Sequence, residues 1–308
     1  MPAKASRAAF GEAILELGAS DPRIVTLDAD LSKSTMTGAF AKKFPARAFN
    51  LGIAESNMIG IGAGLALAGY VPFVASFACF LVGRFETIRI SVAYTNANVK
   101  LVGTHAGIAI GEDGYSQMGL EDVAVLRALP NIAIVQPGDE LETKQAVAWA
   151  ARSQGPVYLR LTRQNLEPVC PPDYRFELGK WLTLRSGHDV TLVASGGPLF
   201  NTLEAAKVLA SDGISADVID GACIKPLDEE TLLRSAGKTG HVVTVEDHAI
   251  AGGLGGAVAE LLADVMPTPL RRLGVVGFGE SGDLRGLYAK HGLDPGGIAT
   301  SVRKFLKR

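Results

Sequence analysis

The sequence predicts an α/β protein built from two open-sheet units in tandem. Short apolar bursts of β character alternate with helical stretches up to about Leu161, the signature of a parallel sheet with crossover helices. A proline-rich stretch without either period follows, LEPVCPPDYR from Leu166 to Arg175, and reads as a linker. The alternation then resumes to the end of the chain. With 308 residues, two domains are the expectation: a first unit over 1–168, a linker over 169–184 and a second unit over 185–308.

In order, a helix is expected near Arg7 to Leu17, a strand from Ile24 to Asp28, a helix near Thr35 to Lys43 and a short strand from Ala48 to Leu51. Further strands are expected at Val71 to Ser76, Val99 to Thr104, Ile132 to Val135 and Val157 to Leu161. Ligands of open parallel sheets sit at the carboxyl ends of strands, and polar residues gather there at Asp28 to Ser34, Asn50 to Glu55 and Thr104 to Gln117. In the second unit the strands are Val190 to Ala194, Ala216 to Ile219, His241 to Glu246 and Leu270 to Val276. A helix runs from Leu199 to Ser211, and a glycine-rich turn at Ala251 to Gly256 opens another that ends near Asp264.

Lys and Arg total 30 against 32 Asp and Glu, so nothing points to nucleic acid or an anionic membrane as partner. Cys79, Cys170 and Cys223 form no CxxC pair, and the N-terminus has helical periodicity without a signal-peptide apolar block, which together point to a reducing, cytoplasmic setting. Ser56 to Gly83 carries no charge, as a membrane span would. Pro72 and the break at Gly69 and Tyr70 divide it into a small-residue helix and a strand-like VPFVASF, which predicts helix plus buried strand and no span.

Glu55 is the one acid at the head of that uncharged stretch, with no charged residue after it until Arg84. A carboxylate among apolar residues is expensive without a partner. At a helix start it also gains about 0.3–1 kcal/mol from the macrodipole, a sufficient structural reason for an acid there. The pattern IAE at 53–55, Gly60, Gly62 and Gly64, and the aromatic pair Phe77 and Phe80 resembles the pyrimidine-binding half of thiamine diphosphate enzymes, and of transketolases in particular. The resemblance implies that Glu55 hydrogen-bonds the aminopyrimidine ring nitrogen of thiamine diphosphate. It also implies that Phe77 and Phe80 stack on that ring and that Ile53 borders it. Without it, the two rings read as ordinary core. The three glycines are read as structural packing positions.

The same family resemblance extends to three further stretches. THAGIAIGEDGYSQMGLED, Thr104 to Asp122, looks like the transketolase substrate loop, with His105 on the substrate and Asp113 on sugar hydroxyls; by itself EDGY is equally a plain turn. Gln117 stands where transketolases usually carry a second histidine, and an amide cannot shuttle protons near neutral pH. LRLTRQNL, Leu159 to Leu166, is similar to the segment whose arginine grips the sugar phosphate, which places Arg163 in that role. Ser32 in DADLSKST matches a phosphate-contacting serine.

The family's diphosphate and metal motif, GDG with a downstream asparagine, does not occur in residues 1 to 54. The resemblance therefore covers only the carboxyl-terminal half of a transketolase. It implies the small subunit of a split enzyme, in an α2β2 assembly whose N-terminal subunit holds the diphosphate and Mg²⁺. A 2-oxo-acid dehydrogenase β subunit, a deoxyxylulose-phosphate-synthase-like enzyme and an inactive regulatory paralogue are the alternatives. GFGESG, Gly277 to Gly282, formally satisfies GxGxxG but leaves too little chain for a βαβ unit. The AGGLGG turn, with Glu246, Asp247 and His248 before it, is a helix entry or an anion site.

Overall fold

The computed structural model describes residues 2–307. Its strands, in chain order, are β1 (Lys4–Ala5), β2 (Ile24–Asp28), β3 (Ala48–Asn50), β4 (Val71–Phe77), β5 (Lys100–Thr104), β6 (Ala133–Val135), β7 (Val157–Arg160) and β8 (Asn165–Leu166). The remainder are β9 (Leu182–Arg185), β10 (Val190–Ala194), β11 (Ala216–Asp220), β12 (Cys223–Lys225), β13 (Val242–Ala249) and β14 (Leu270–Val275). They form a seven-stranded sheet of order β12-β6-β7-β5-β4-β2-β3, a five-stranded sheet of order β14-β13-β10-β11-β9 and a β1-β8 ribbon. The expected α/β class with two open sheets is what the chain adopts.

Every residue of β2, β4, β5 and β7 is buried, as parallel strands covered on both faces require. The uncharged stretch after Glu55 becomes the helix Glu55–Leu67 followed by β4. No helix among the described residues is long and apolar enough to cross a membrane. The three glycines of the helix separate into two roles. A Cβ on Gly62 would lie 2.6 Å from Val74 Cγ2 of β4, whereas Gly60 and Gly64 face open space, so only Gly62 is a packing position within this chain.

The helix expected near Thr35 to Lys43 is two short helices, Ser32–Thr35 and Gly38–Lys43, separated by Met36 in the left-handed region at φ 68°. The cause is Asp28, whose carboxylate accepts from Leu31 N (2.5 Å), Thr35 Oγ1 (2.6 Å) and Thr37 Oγ1 (3.0 Å), bending the chain round the end of β2.

The stretch expected to be linker ends in β9, which pairs antiparallel with β11. β12, from the second half of the chain, pairs antiparallel with β6 of the first sheet. The units share more than a tether: Leu126 and Ile134 lie in one buried cluster with Val193, Ile219 and Cys223. Trp181 Nε1 donates to Cys223 O at 2.8 Å.

Candidate functional site

The carboxyl edge of the first sheet collects the side chains singled out above. Glu55 is the first residue of its helix and is 6% exposed. The nearest cation is Arg84, whose Nη2 lies 3.8 Å from Glu55 Oε2, and among the described residues no donor hydrogen-bonds to the carboxylate. Neither carboxylate oxygen is among the buried polar atoms without a partner, so the oxygens open to the surface of this chain.

Phe77 closes β4 and Phe80 follows one turn on. The two rings stack at 5.4 Å with a 10° interplanar angle, and the His105 ring lies 3.7 Å from Phe77 on a nearly parallel plane. Phe77 is buried and Phe80 half-buried, packed against the second buried cluster.

His105 follows β5 with φ 57°, a conformation uncommon for a residue with a side chain. Its Nε2 lies 3.0 Å from Arg7 Nη1 and its Nδ1 2.9 Å from Thr104 Oγ1, while Thr104 Oγ1 donates to Ser76 O at 3.2 Å. A guanidinium only donates, so Nε2 accepts and the proton sits on Nδ1. Burial, with the Arg7 and Arg163 cations beside it, pushes the imidazole down to about 3. It is a neutral hydrogen-bonding group.

The loop after His105 is two 3₁₀ turns, Ile108–Asp113 and Tyr115–Gln117, with Gly107, Gly111 and Gly114 at positive φ. Asp113 Oδ2 accepts from Arg163 Nη1 at 2.9 Å, and both side chains are more than 40% exposed. The same Nη1 also reaches Ile110 O at 3.1 Å. Gln117 is half-buried, Ser32 begins the short helix held by Asp28, and Ile53 is 83% exposed just before Glu55. The structure thus brings His105 together with Phe77, and Asp113 with Arg163. Ile53 faces outward.

Arg7 was not foreseen. It ties His105 to Ser34 O (2.8 Å), and an arginine on an otherwise apolar helix face, in KASRAAF, is its sequence signal. Two motifs prove structural. GFGESG buttresses the His105 loop: Phe278 packs edge-on to Tyr115 at 4.8 Å, and Gly282 N donates to Gly111 O at 3.4 Å. The AGGLGG turn is indeed a helix entry, and its anion site is filled by the chain itself. Glu246 accepts from Leu254 N (2.7 Å) and Gly255 N (2.9 Å), while burial raises its carboxyl to about 7.

The aromatic pair, the buried residue Glu55 and the loop bearing His105, Asp113 and Gln117 lie along the carboxyl edge of one parallel sheet, where open α/β sheets bind their ligands. The family model for the transketolase pyrimidine-binding domain matches residues 3–168, and that for the transketolase C-terminal domain matches 179–298. The chain belongs to the transketolase family, whose members depend on thiamine diphosphate. It is 45% identical to a putative transketolase C-terminal section of Methanocaldococcus jannaschii, covering 99% of this chain and 97% of that one. It is 41% identical to a 6-deoxy-6-sulfo-D-fructose transketolase subunit of a Clostridium species, covering 98% and 94%. The solved structure of a split-gene transketolase, an inactive β4 tetramer, superposes with a TM-score of 0.90 at 46% identity over 99% of both chains.

Proposed function

We propose that this chain is the carboxyl-terminal subunit of a two-chain transketolase, active in ketol transfer from a ketose phosphate to an aldose only when joined to a second polypeptide. The observation that carries the proposal is Glu55: a buried carboxylate, free of hydrogen-bond donors in its own chain, on the sheet edge that also holds Phe77 and Phe80. Such a group fits the aminopyrimidine ring of thiamine diphosphate. That cofactor, once bound, supplies the electron sink that ketol transfer needs.

On this reading Glu55 holds the ring nitrogen in a water-poor setting, where the hydrogen bond is strong. Phe77 and Phe80 offer the stacking face, and Ile53 extends the apolar wall. His105, neutral and locked by Thr104 and Arg7, orients the substrate oxygen. Asp113 and Gln117 read sugar hydroxyls, while Arg163 and Ser32 take the phosphate. Mg²⁺ and the diphosphate fall to the partner, a division supported by the likeness to a transketolase C-terminal section and to a split-gene transketolase. The 83% exposure of Ile53 next to a functional carboxyl supports a site completed by another chain, in an α2β2 assembly. Gln117 in place of histidine, and a relative named for a sulfosugar, support a substrate range beyond pentose phosphates.

The test is reconstitution with a chain carrying GDG and a downstream asparagine, assayed with ketose phosphates, 6-deoxy-6-sulfofructose and pyruvate. Ketol transfer by the pair and none by this chain alone is expected. Turnover by the lone chain, or decarboxylation of pyruvate, would overturn the proposal.

A further inference from the structure

The crevice where strand order reverses is the usual ligand site of an open parallel sheet. In the second sheet the reversal falls at β10, between β11 and β13. Ser195 follows β10 and Asp247 lies near the carboxyl end of β13, and here the first domain fills the crevice. Gln136 accepts from Ser195 Oγ at 3.1 Å and donates to Asp247 Oδ1 at 3.2 Å. Arg160 Nη1, at the end of β7, donates to Asp247 Oδ1 at 2.8 Å, and neither side chain is exposed at all.

The rest of the Arg160 fork holds the neck of the substrate loop. Its Nη2 donates to Gly119 O at 2.9 Å and its Nε to Asp122 Oδ2 at 2.9 Å. Gly119 O also accepts from Gly107 N at 2.9 Å, closing the loop on itself. Asp247 lies directly beneath: a Cβ on Gly107 would come within 2.0 Å of its Oδ2, and Gly107 sits at φ 82°. Ala249 N donates to Leu120 O at 2.6 Å. Ile108, Ile110 and Met118 pack the body of the loop into the second domain's buried cluster, and the Arg160 bonds join its two ends at the neck.

We propose that Asp247 is a positioning residue: acting through Arg160, it fixes the neck of the loop that presents His105 and Asp113, and the second domain's ligand edge is given over to that task. This rests on the functional reading above. Catalytic geometry tolerates little displacement, and a rigid two-carboxylate clamp on a planar guanidinium supplies the required register.

The experiment compares Asp247→Asn with wild type in two ways. In the reconstituted pair, KM for the sugar phosphates should rise at least tenfold while thiamine diphosphate affinity stays within twofold. In a background carrying both His105→Ala and Asp113→Ala the same change should add nothing. In the isolated chain, amide exchange over residues 106–119 should accelerate at least tenfold, with the helix Glu55–Leu67 unchanged. Unaltered exchange at the neck, or faster exchange spread evenly over both sheets, would overturn the proposal. An inactive wild-type pair would sink the transketolase reading, while the exchange result would still judge the positioning role. If Asp247→Asn does not fold, Arg160→Lys decides: it keeps the charge but cannot span Asp247, Gly119 and Asp122 together, so it should give the same local exchange and KM effect, and a folded Arg160→Lys protein with normal values of both would refute it.

Discussion

Arg7 Nη1 donates to His105 Nε2 across 3.0 Å, joining the first turn of the N-terminal helix to the loop after β5. A permanent cation on that nitrogen excludes the imidazolium and fixes the Nδ1 tautomer. His105 is thereby a neutral hydrogen-bonding residue.

The first expectation is spectroscopic. In ¹⁵N-resolved NMR, the His105 ring should remain neutral with its proton on Nδ1 from pH 8 down to at least pH 5, since burial and the neighbouring cations hold it at about 3. Titration near 6.5, the ordinary value, would show that Arg7 does not engage it.

Arg163 and Asp113 test the substrate side. Their ion pair is exposed on both partners, and such pairs contribute under about 1 kcal/mol. Arg163→Ala should therefore leave the melting temperature nearly unchanged while raising KM for phosphorylated sugars about tenfold or more, the cost of a lost charged hydrogen bond. An unchanged KM would remove Arg163 from phosphate recognition.

Glycine substitutions separate packing from assembly. Gly62→Ala drives a methyl into Val74 and should cost about 1–3 kcal/mol by overpacking. Gly60→Ala meets nothing and should stabilise the isolated chain by up to about 1 kcal/mol. Gly60 and Gly64 share the open face, so Gly60→Ala should weaken association with the partner, measured by sedimentation. Full assembly would free that face from the interface.

Much of this was legible locally. Glu55 stands out because one charge heads a long uncharged run, and Ile24–Asp28 and Val190–Ala194 because a parallel strand buried on both faces is mostly apolar. Arg160 and Asp247 were not legible: their pairing spans 87 positions and leaves no local spacing. β9 was hidden because its half-exposed edge position relaxes the apolar pattern. β12 was hidden because three residues carry no period, and its partner β6 belongs to the first half of the chain.

Glu142 and Asp220 give a pH prediction. Both carboxyls are buried at the domain joint, and burial, followed for Asp220 by the Glu142 charge, raises them above the usual range. A raised carboxyl keeps a proton in the folded state that the unfolded chain has released, so its contribution is fullest below about pH 4 and declines as pH rises. Asp220→Asn removes that proton, and its stability relative to wild type should improve between about pH 4 and 7, by at most about 1.4 kcal/mol per pH unit. Denaturant melts at several pH values measure this; a pH-independent difference would contradict it.

The most direct measurement is the ketol-transfer rate of the reconstituted pair, at saturating thiamine diphosphate, with Glu55→Gln in place of wild type. Glutamine keeps the size and removes the carboxylate, so the rate should fall by about 10²–10⁴-fold while the melting temperature holds. A folded Glu55→Gln pair that turns over at the wild-type rate would contradict the central claim.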